Sequence, residues 1–197
     1  MSRVRRALPG VAIAAAACLL MSGCGGVEVP KSFKEFNAKD GTVKLKRPAG
    51  WEQKRGTAKE FRSVAFESGP AKIRVLADLT GSLVAGPGAS METEDVPEEL
   101  TAVAAVHEEF TLKQLSDELG ELDVKSTDML QTGFGNTRRS EFTVSGTLGS
   151  ATHGYVVTAL GHDKRVRVIC TCPEKKWKTL KPAFDEVIES MGAGQRE

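Results

Sequence analysis

Two cysteines one residue apart, Cys170-Thr171-Cys172, carry the most reactive side chains in this sequence, suited to a redox pair or to thiolate ligation of a metal. On an extended strand they would share a face with Val166 and Val168. Their Cα atoms would then lie ~6.6 Å apart with parallel Cβ vectors, near the upper limit for a disulfide. The spacing is not the Cys-x-x-Cys of oxidoreductases. Three readings stand: small buried core thiols, which the alternation favours, a strained local disulfide, and metal binding.

The remaining candidates are scattered. His107, His153 and His162 lack the His-x-His or His-Glu-x-x-His spacing that aims two imidazoles at one ion, and they read as exposed or incidental. No serine sits in Gly-x-Ser-x-Gly beside an arranged base. Gly133-Phe134-Gly135 lacks the third glycine and the Lys-Ser/Thr end of a phosphate loop and reads as a turn. Trp51 and Trp177 could line a ligand cleft; the preferred reading has Trp177 opening an apolar helical stripe and Trp51 plugging a sheet edge. Glu92, Glu94, Asp95, Glu98 and Glu99 form an acidic patch that could meet a cation or a basic partner, and it reads as a solvated loop. No catalytic set, cofactor or metal is expected.

Elements to position these residues follow from periodicity. Asp40-Gly41 is a turn between short strands at Phe33 to Phe36 and Val43 to Lys46, the second ending at Pro48-Ala49-Gly50-Trp51. Phe61 to Phe66 and Ala71 to Leu79 are strands about the turn Ser68-Gly69-Pro70; Ile73, Val75, Ala77 and Leu79 alternate with Lys72, Arg74 and Asp78, which predicts one buried face. Gly81 to Pro97 is a long loop, and Glu98 to Glu109 fits either a short helix or an added strand. Thr111-Leu112-Lys113-Gln114 has the form of a capping box, with Leu112, Leu115, Leu119 and Leu122 along one stripe of a helix ending near 120–123. Arg138 to Ser145, Thr152 to Leu160 and Arg165 to Cys172 are strands, the last two joined by the hairpin turn Gly161-His162-Asp163-Lys164. From Glu174 to Met191 the apolar residues recur at helical spacing, with Pro182 expected to kink or split the helix. The fold class is therefore α+β, with helices packed against a mainly antiparallel sheet.

The chain has 197 residues, 27 of them Lys or Arg and 26 Asp or Glu, which suffices for one compact domain and lacks the strongly basic balance that phosphate-backbone binding demands. Nucleic acid is not an expected partner. Residues 1–23 combine the basic start Arg3, Arg5, Arg6 with an apolar run from Val11 to Met21 and a small-residue exit, the form of a cleavable signal peptide. The run is about 11 residues, against the ~20 a membrane-spanning helix needs.

Met21-Ser22-Gly23-Cys24, followed by Gly25-Gly26, resembles the lipobox of bacterial lipoproteins, with Met21 where Leu is usual. The resemblance implies a diacylglycerol on Cys24, which becomes the first mature residue; an ordinary secretory signal is the competing reading, and Cys18 is a weaker candidate. Arg5-Arg6 resembles a twin-arginine signal only faintly, so general secretion is expected. Two acyl chains give lasting attachment where one gives marginal binding. Losing three arginines and no acid leaves the mature chain with a charge of about −2. Residues 24–32 are expected to be a lipidated tether reaching at most about 28 Å beyond the anchor, residues 33–191 the domain, and residues 192–197 a flexible tail.

The order from Asp40-Gly41 through Val43-Lys44-Leu45 to Pro48-Ala49-Gly50-Trp51, the helix opening at Thr111-Leu112, and the ending Val168-Ile169-Cys170 to Trp177, Phe184, Ile188, Ser190 and Met191 resemble the PsbP-like fold. Among lipoproteins the chain is similar to the LpqN-type and DcrB-like proteins. The departures are the extended 80–110 segment and Cys172. The resemblance implies a non-enzymatic domain binding a protein or assembly at a membrane surface, and it transfers no functional residue. The expected protein is thus anchored by lipid to the extracytoplasmic face of the cell membrane, binding a protein partner or an envelope component. The alternatives are a carrier of a small apolar or lipid ligand and a redox protein using Cys170 and Cys172.

Overall fold

Alternating apolar and polar residues build the centre of the molecule. The computed structural model describes residues 26–55, 63–79, 101–146, 150–161 and 164–195. Among these, β1 (Phe33–Asn37) and β2 (Lys44–Pro48) form an antiparallel hairpin. A seven-stranded sheet has the order β3-β4-β5-β9-β8-β7-β6, with β3 (Glu52–Arg55), β4 (Ser63–Ser68), β5 (Ala71–Leu79), β6 (Leu122–Thr132), β7 (Gly135–Ser145), β8 (Ala151–Leu160) and β9 (Lys164–Pro173). Every paired strand in it runs antiparallel.

Both faces of the sheet centre are covered, where β5 alone predicted one buried face. The residues Ile73, Val75, Val166, Val168, Tyr155 and Val157 meet α3 (Trp177–Glu189) through Leu180, Phe184, Val187 and Ile188, with the β1–β2 hairpin completing this larger core. On the opposite face Phe142, Val144, Val156 and Ile169 pack against Leu115. Two-sided cover explains why β8 and β9 are buried along nearly their whole length. Gly154, in the middle of β8, has no room for a side chain: a Cβ there would run into the carbonyl oxygen of Cys170 and the ring of Phe142.

The second cover is a continuous helical stretch of α1 (Ala102–Val106), a π-helical segment (His107–Leu112) and α2 (Lys113–Leu119). Glu98 to Glu109 is thus resolved as helix from Ala102. The helix start expected at Thr111 lies instead at Thr101, whose hydroxyl accepts from the Ala104 amide at 3.3 Å. Thr111 is interior to the stretch and fully buried, so its hydroxyl serves the core rather than a cap. Leu115 is buried and Leu112 packs beside it, but Leu119 is 37% exposed and Leu122 belongs to β6.

Gly133-Phe134 connects Thr132 of β6 to Gly135 of β7, and Gly135, at φ 84°, takes a positive φ that favours glycine just after the turn. The turn reading of that motif holds. Pro182 does not break α3, because it sits on the exposed side where its missing amide leaves a carbonyl to water. Glu174–Lys176 form a 3-10 turn ahead of it, so the α-helix proper opens at Trp177.

The register defines two ends of the sheet. The β4–β5 turn, Ser145, Ala151 and Pro173 lie at one end, with Ala71 two positions from Ile73 opposite Cys170. Gly135, Leu160 and Lys164 lie at the other, where the Gly133 amide donates to the Met191 carbonyl just past α3. Helix α3 therefore runs from the first end to the second.

Candidate functional site

The lipidation candidate Cys24, the alternative Cys18, the acidic patch and His162 lie outside the described residues. From residue 26 the chain does not hang free. Val27 packs against the larger core, the Glu28 amide donates to Ser68 Oγ at 2.9 Å, and the Glu28 carbonyl accepts from Trp51 Nε1 at 3.1 Å. The Ala49 amide then donates to the Ser32 carbonyl at 3.0 Å. Trp51 is buried beneath this segment and meets Phe184 edge-on, with ring centroids 6.3 Å apart. Its indole thus joins the amino-terminal strap to α3, a function that sequence reading as an edge plug approached without naming the partner.

Cys170 and Cys172 lie on the face of β9 that carries Val166 and Val168, and both are buried free thiols. Burial drives the Cys170 thiol upward, with the Asp185 carboxylate adding to the effect. Burial, with Glu174 nearby, pushes Cys172 up to about 12. Both facts disfavour the thiolate that redox exchange or metal ligation needs. Among the described residues, no three His, Cys, Asp or Glu side chains converge as a metal site. Ellman's reagent at neutral pH should detect neither Cys170 nor Cys172 in the folded domain and both after denaturation; a folded-state reaction would restore the redox reading.

Two histidines read as exposed or incidental are neither. His107 is fully buried beneath the π-helical segment, its Nδ1 2.9 Å from Thr158 Oγ1 and its Nε2 2.9 Å from Ser140 Oγ. The hydroxyl of Thr111 donates to the Val106 carbonyl, and Thr158 donates to Thr111 at 2.8 Å. Thr158 must therefore accept from Nδ1–H, leaving Nε2 to accept from Ser140, whose oxygen is 2.7 Å from Thr127 Oγ1. Burial, with the Arg138 charge, lowers this ring to about 4. The Ser140–His107 contact has the length of a nucleophile–base pair, but both residues are wholly enclosed, no carboxylate orients the ring, and its basicity is weak. The network fastens helix to sheet. Alternating polar positions in β7 and β8 carried a trace of it; the helical partner did not.

His153 stacks on Trp177 at 4.0 Å between ring centroids, with Nδ1 2.7 Å from Glu174 and Nε2 2.8 Å from Glu141. Both nitrogens can donate at once only when the ring holds two protons. Nearby, the Arg139 guanidinium lies 4.6 Å over the Tyr155 ring and binds both Asp128 and Asp185. On the opposite face, Arg165 and Arg167 each reach Asp78 at 2.9 Å, and Arg165 also donates to Gln114 of α2. These groups join neighbouring strands and, through Asp185 and Gln114, tie the helices to the sheet.

Aliphatic side chains and packed rings fill the interior, and the grooves among the described residues are shallow. One of about 370 Å³ runs beside Glu35, Lys44, Lys46 and Ser190, outside the interface of α3 with the sheet.

No protein-family model and no curated protein sequence matches the chain. Among solved structures it is similar to cyanobacterial PsbP (CyanoP) from Synechocystis sp. PCC 6803, at 14% identity and a TM-score of 0.56 over 88% of this chain and 98% of that one. It is also similar to LpqN of Mycobacterium tuberculosis, described as involved in cell envelope biogenesis, at 13% identity and a TM-score of 0.52 over 83% of this chain and 91% of that one. Identities this low bear on architecture alone. Sheet order, covering helices and these likenesses agree: the chain has the PsbP-like fold.

Proposed function

We propose that this is a lipid-anchored lipoprotein of the extracytoplasmic membrane face that binds a protein partner or an envelope component and performs no catalysis. The observation that carries the reading is the lipobox-like Met21-Ser22-Gly23-Cys24 placed directly ahead of a fold shared with LpqN, a protein involved in cell envelope biogenesis. No helix among the described residues is long and apolar enough to cross a membrane, so within them attachment would fall to the acyl chains on Cys24. Enclosure of the Ser140–His107 pair and the raised thiols favour a binding role over turnover.

Radiolabelled palmitate should enter the full chain and be absent from Cys24→Ala; label retained by that variant rejects the anchor. Crosslinking in intact cells followed by purification should then recover a specific partner with the wild-type chain. The carrier reading would need space between α3 and the sheet, where Trp177, Leu180, Phe184 and Val187 are already packed.

A further inference from the structure

The strap at the amino terminus changes what an anchor at Cys24 would do. Between Cys24 and Val27 stand only Gly25 and Gly26, three Cα steps that span at most about 11 Å. From Val27 the chain is committed to the domain, through the core contact of Val27, the two backbone hydrogen bonds of Glu28 and the Ser32–Ala49 bond. The leash is thus less than half the length that an unattached segment from 24 to 32 would have. It also leaves from a defined place, beside Ser68 at the sheet end that carries the β4–β5 turn.

On its β9–α3 side that end carries an exposed apolar residue and a group of lysines. Val29, next to the strap bonds, is 44% exposed. The turn leading from β9 into α3 brings Lys175 and Lys176, followed by Lys178, to the same end, because Pro173 pairs with Thr152 there and Trp177 stacks on His153. The acids at this end are Glu174, engaged by His153, Glu28, Glu52 and Glu67, which Lys54 and Lys72 pair, and Glu121 and Asp123 at the start of β6, the last paired with Lys125. Lysines within a Debye length of an anionic bilayer are attracted to it.

We propose that the domain stands on the bilayer in one orientation, with the β4–β5 turn and the Glu174–Lys176 turn against the headgroups and the β6–β7 turn held away from them. This rests on Cys24 being the lipidated residue. The far end is separated from the bilayer by a sheet of about ten residues per strand, some 33 Å. It is the end free to meet a partner.

The test uses the full lipidated chain in phosphatidylcholine–phosphatidylglycerol vesicles, with a fluorophore on Lys175→Cys or, separately, on Gln131→Cys beside the β6–β7 turn. A nitroxide at the lipid headgroup should quench the label at 175 several-fold more than the label at 131. Equal quenching at the two positions would overturn the proposal. Inserting about 12 Gly/Ser residues between Gly26 and Val27 adds roughly 20 Å of flexible reach and should erase most of the difference while the protein still floats with vesicles. A difference that survives the insertion would overturn the part assigned to the strap. A wild-type chain that fails to float would remove the anchor itself, and this orientation with it.

Discussion

Phe184→Ala is expected to destabilise the domain by about 4 kcal/mol, seen as a lower urea midpoint with an unchanged denaturant slope. Phe184 has no exposed surface and meets Trp51 edge-on, with the Trp177 ring also 6.0 Å away. Truncation leaves a cavity bounded by two indoles that cannot close over it, because Trp51 is tied to Glu28 and Trp177 is stacked on His153. Phe184→Leu refills most of the volume and should cost under about 1.5 kcal/mol. Similar losses for the two substitutions would contradict the central place assigned to these rings.

The second large effect is a loss of stability of about 3 kcal/mol as pH falls from 6.5 to about 4, arising at His107. The unfolded chain takes up a proton on this ring near its ordinary 6.5, whereas in the folded domain burial and Arg138 hold protonation off until about 4. Acid therefore favours the unfolded state throughout that window, and the contribution is fully present above it. Protonation also breaks the network, since an imidazolium at Nε2 can no longer accept from Ser140. Glu67, held below the usual carboxylate range by Lys54 and Lys72, acts in the other window, losing its contribution as pH falls below its ordinary 4.5. Urea midpoints at several pH values should show a flatter profile for His107→Gln between 6.5 and 4.5. An unchanged slope in that variant would assign the effect elsewhere.

What could be read from residues alone divides along burial. Strand β5 has the bounds expected from Ala71 to Leu79, and β8 and β9 fall within a residue of theirs, because their apolar residues alternate or run unbroken. Strands β3 and β6 carry no such pattern. Glu-Gln-Lys-Arg in β3 is wholly polar, and the Leu122–Thr132 run is exposed over much of its length, since both are outermost strands held by one neighbour. Their identity as strands is imposed by pairing. The buried hydrogen-bond chain around His107 was illegible for a different reason: its members come from the helical stretch, β6, β7 and β8, and no local spacing joins them. The anchor candidate was legible from its short motif. The strap was not, because Val27 and Glu28 gain their meaning only from Ser68 and Trp51.

Those same outermost strands bear on crowding. Molecules fixed to a bilayer are concentrated in two dimensions, where any unpaired strand edge becomes a template for its neighbour and invites amyloid-like stacking. The β6 border is interrupted between Val124 and Ser126, with Lys125 at the irregularity, while β3 is only four residues long and carries Glu52 and Lys54. Among the described residues each border is thereby unsuited to accepting an eighth strand, which would keep molecules anchored side by side from stacking.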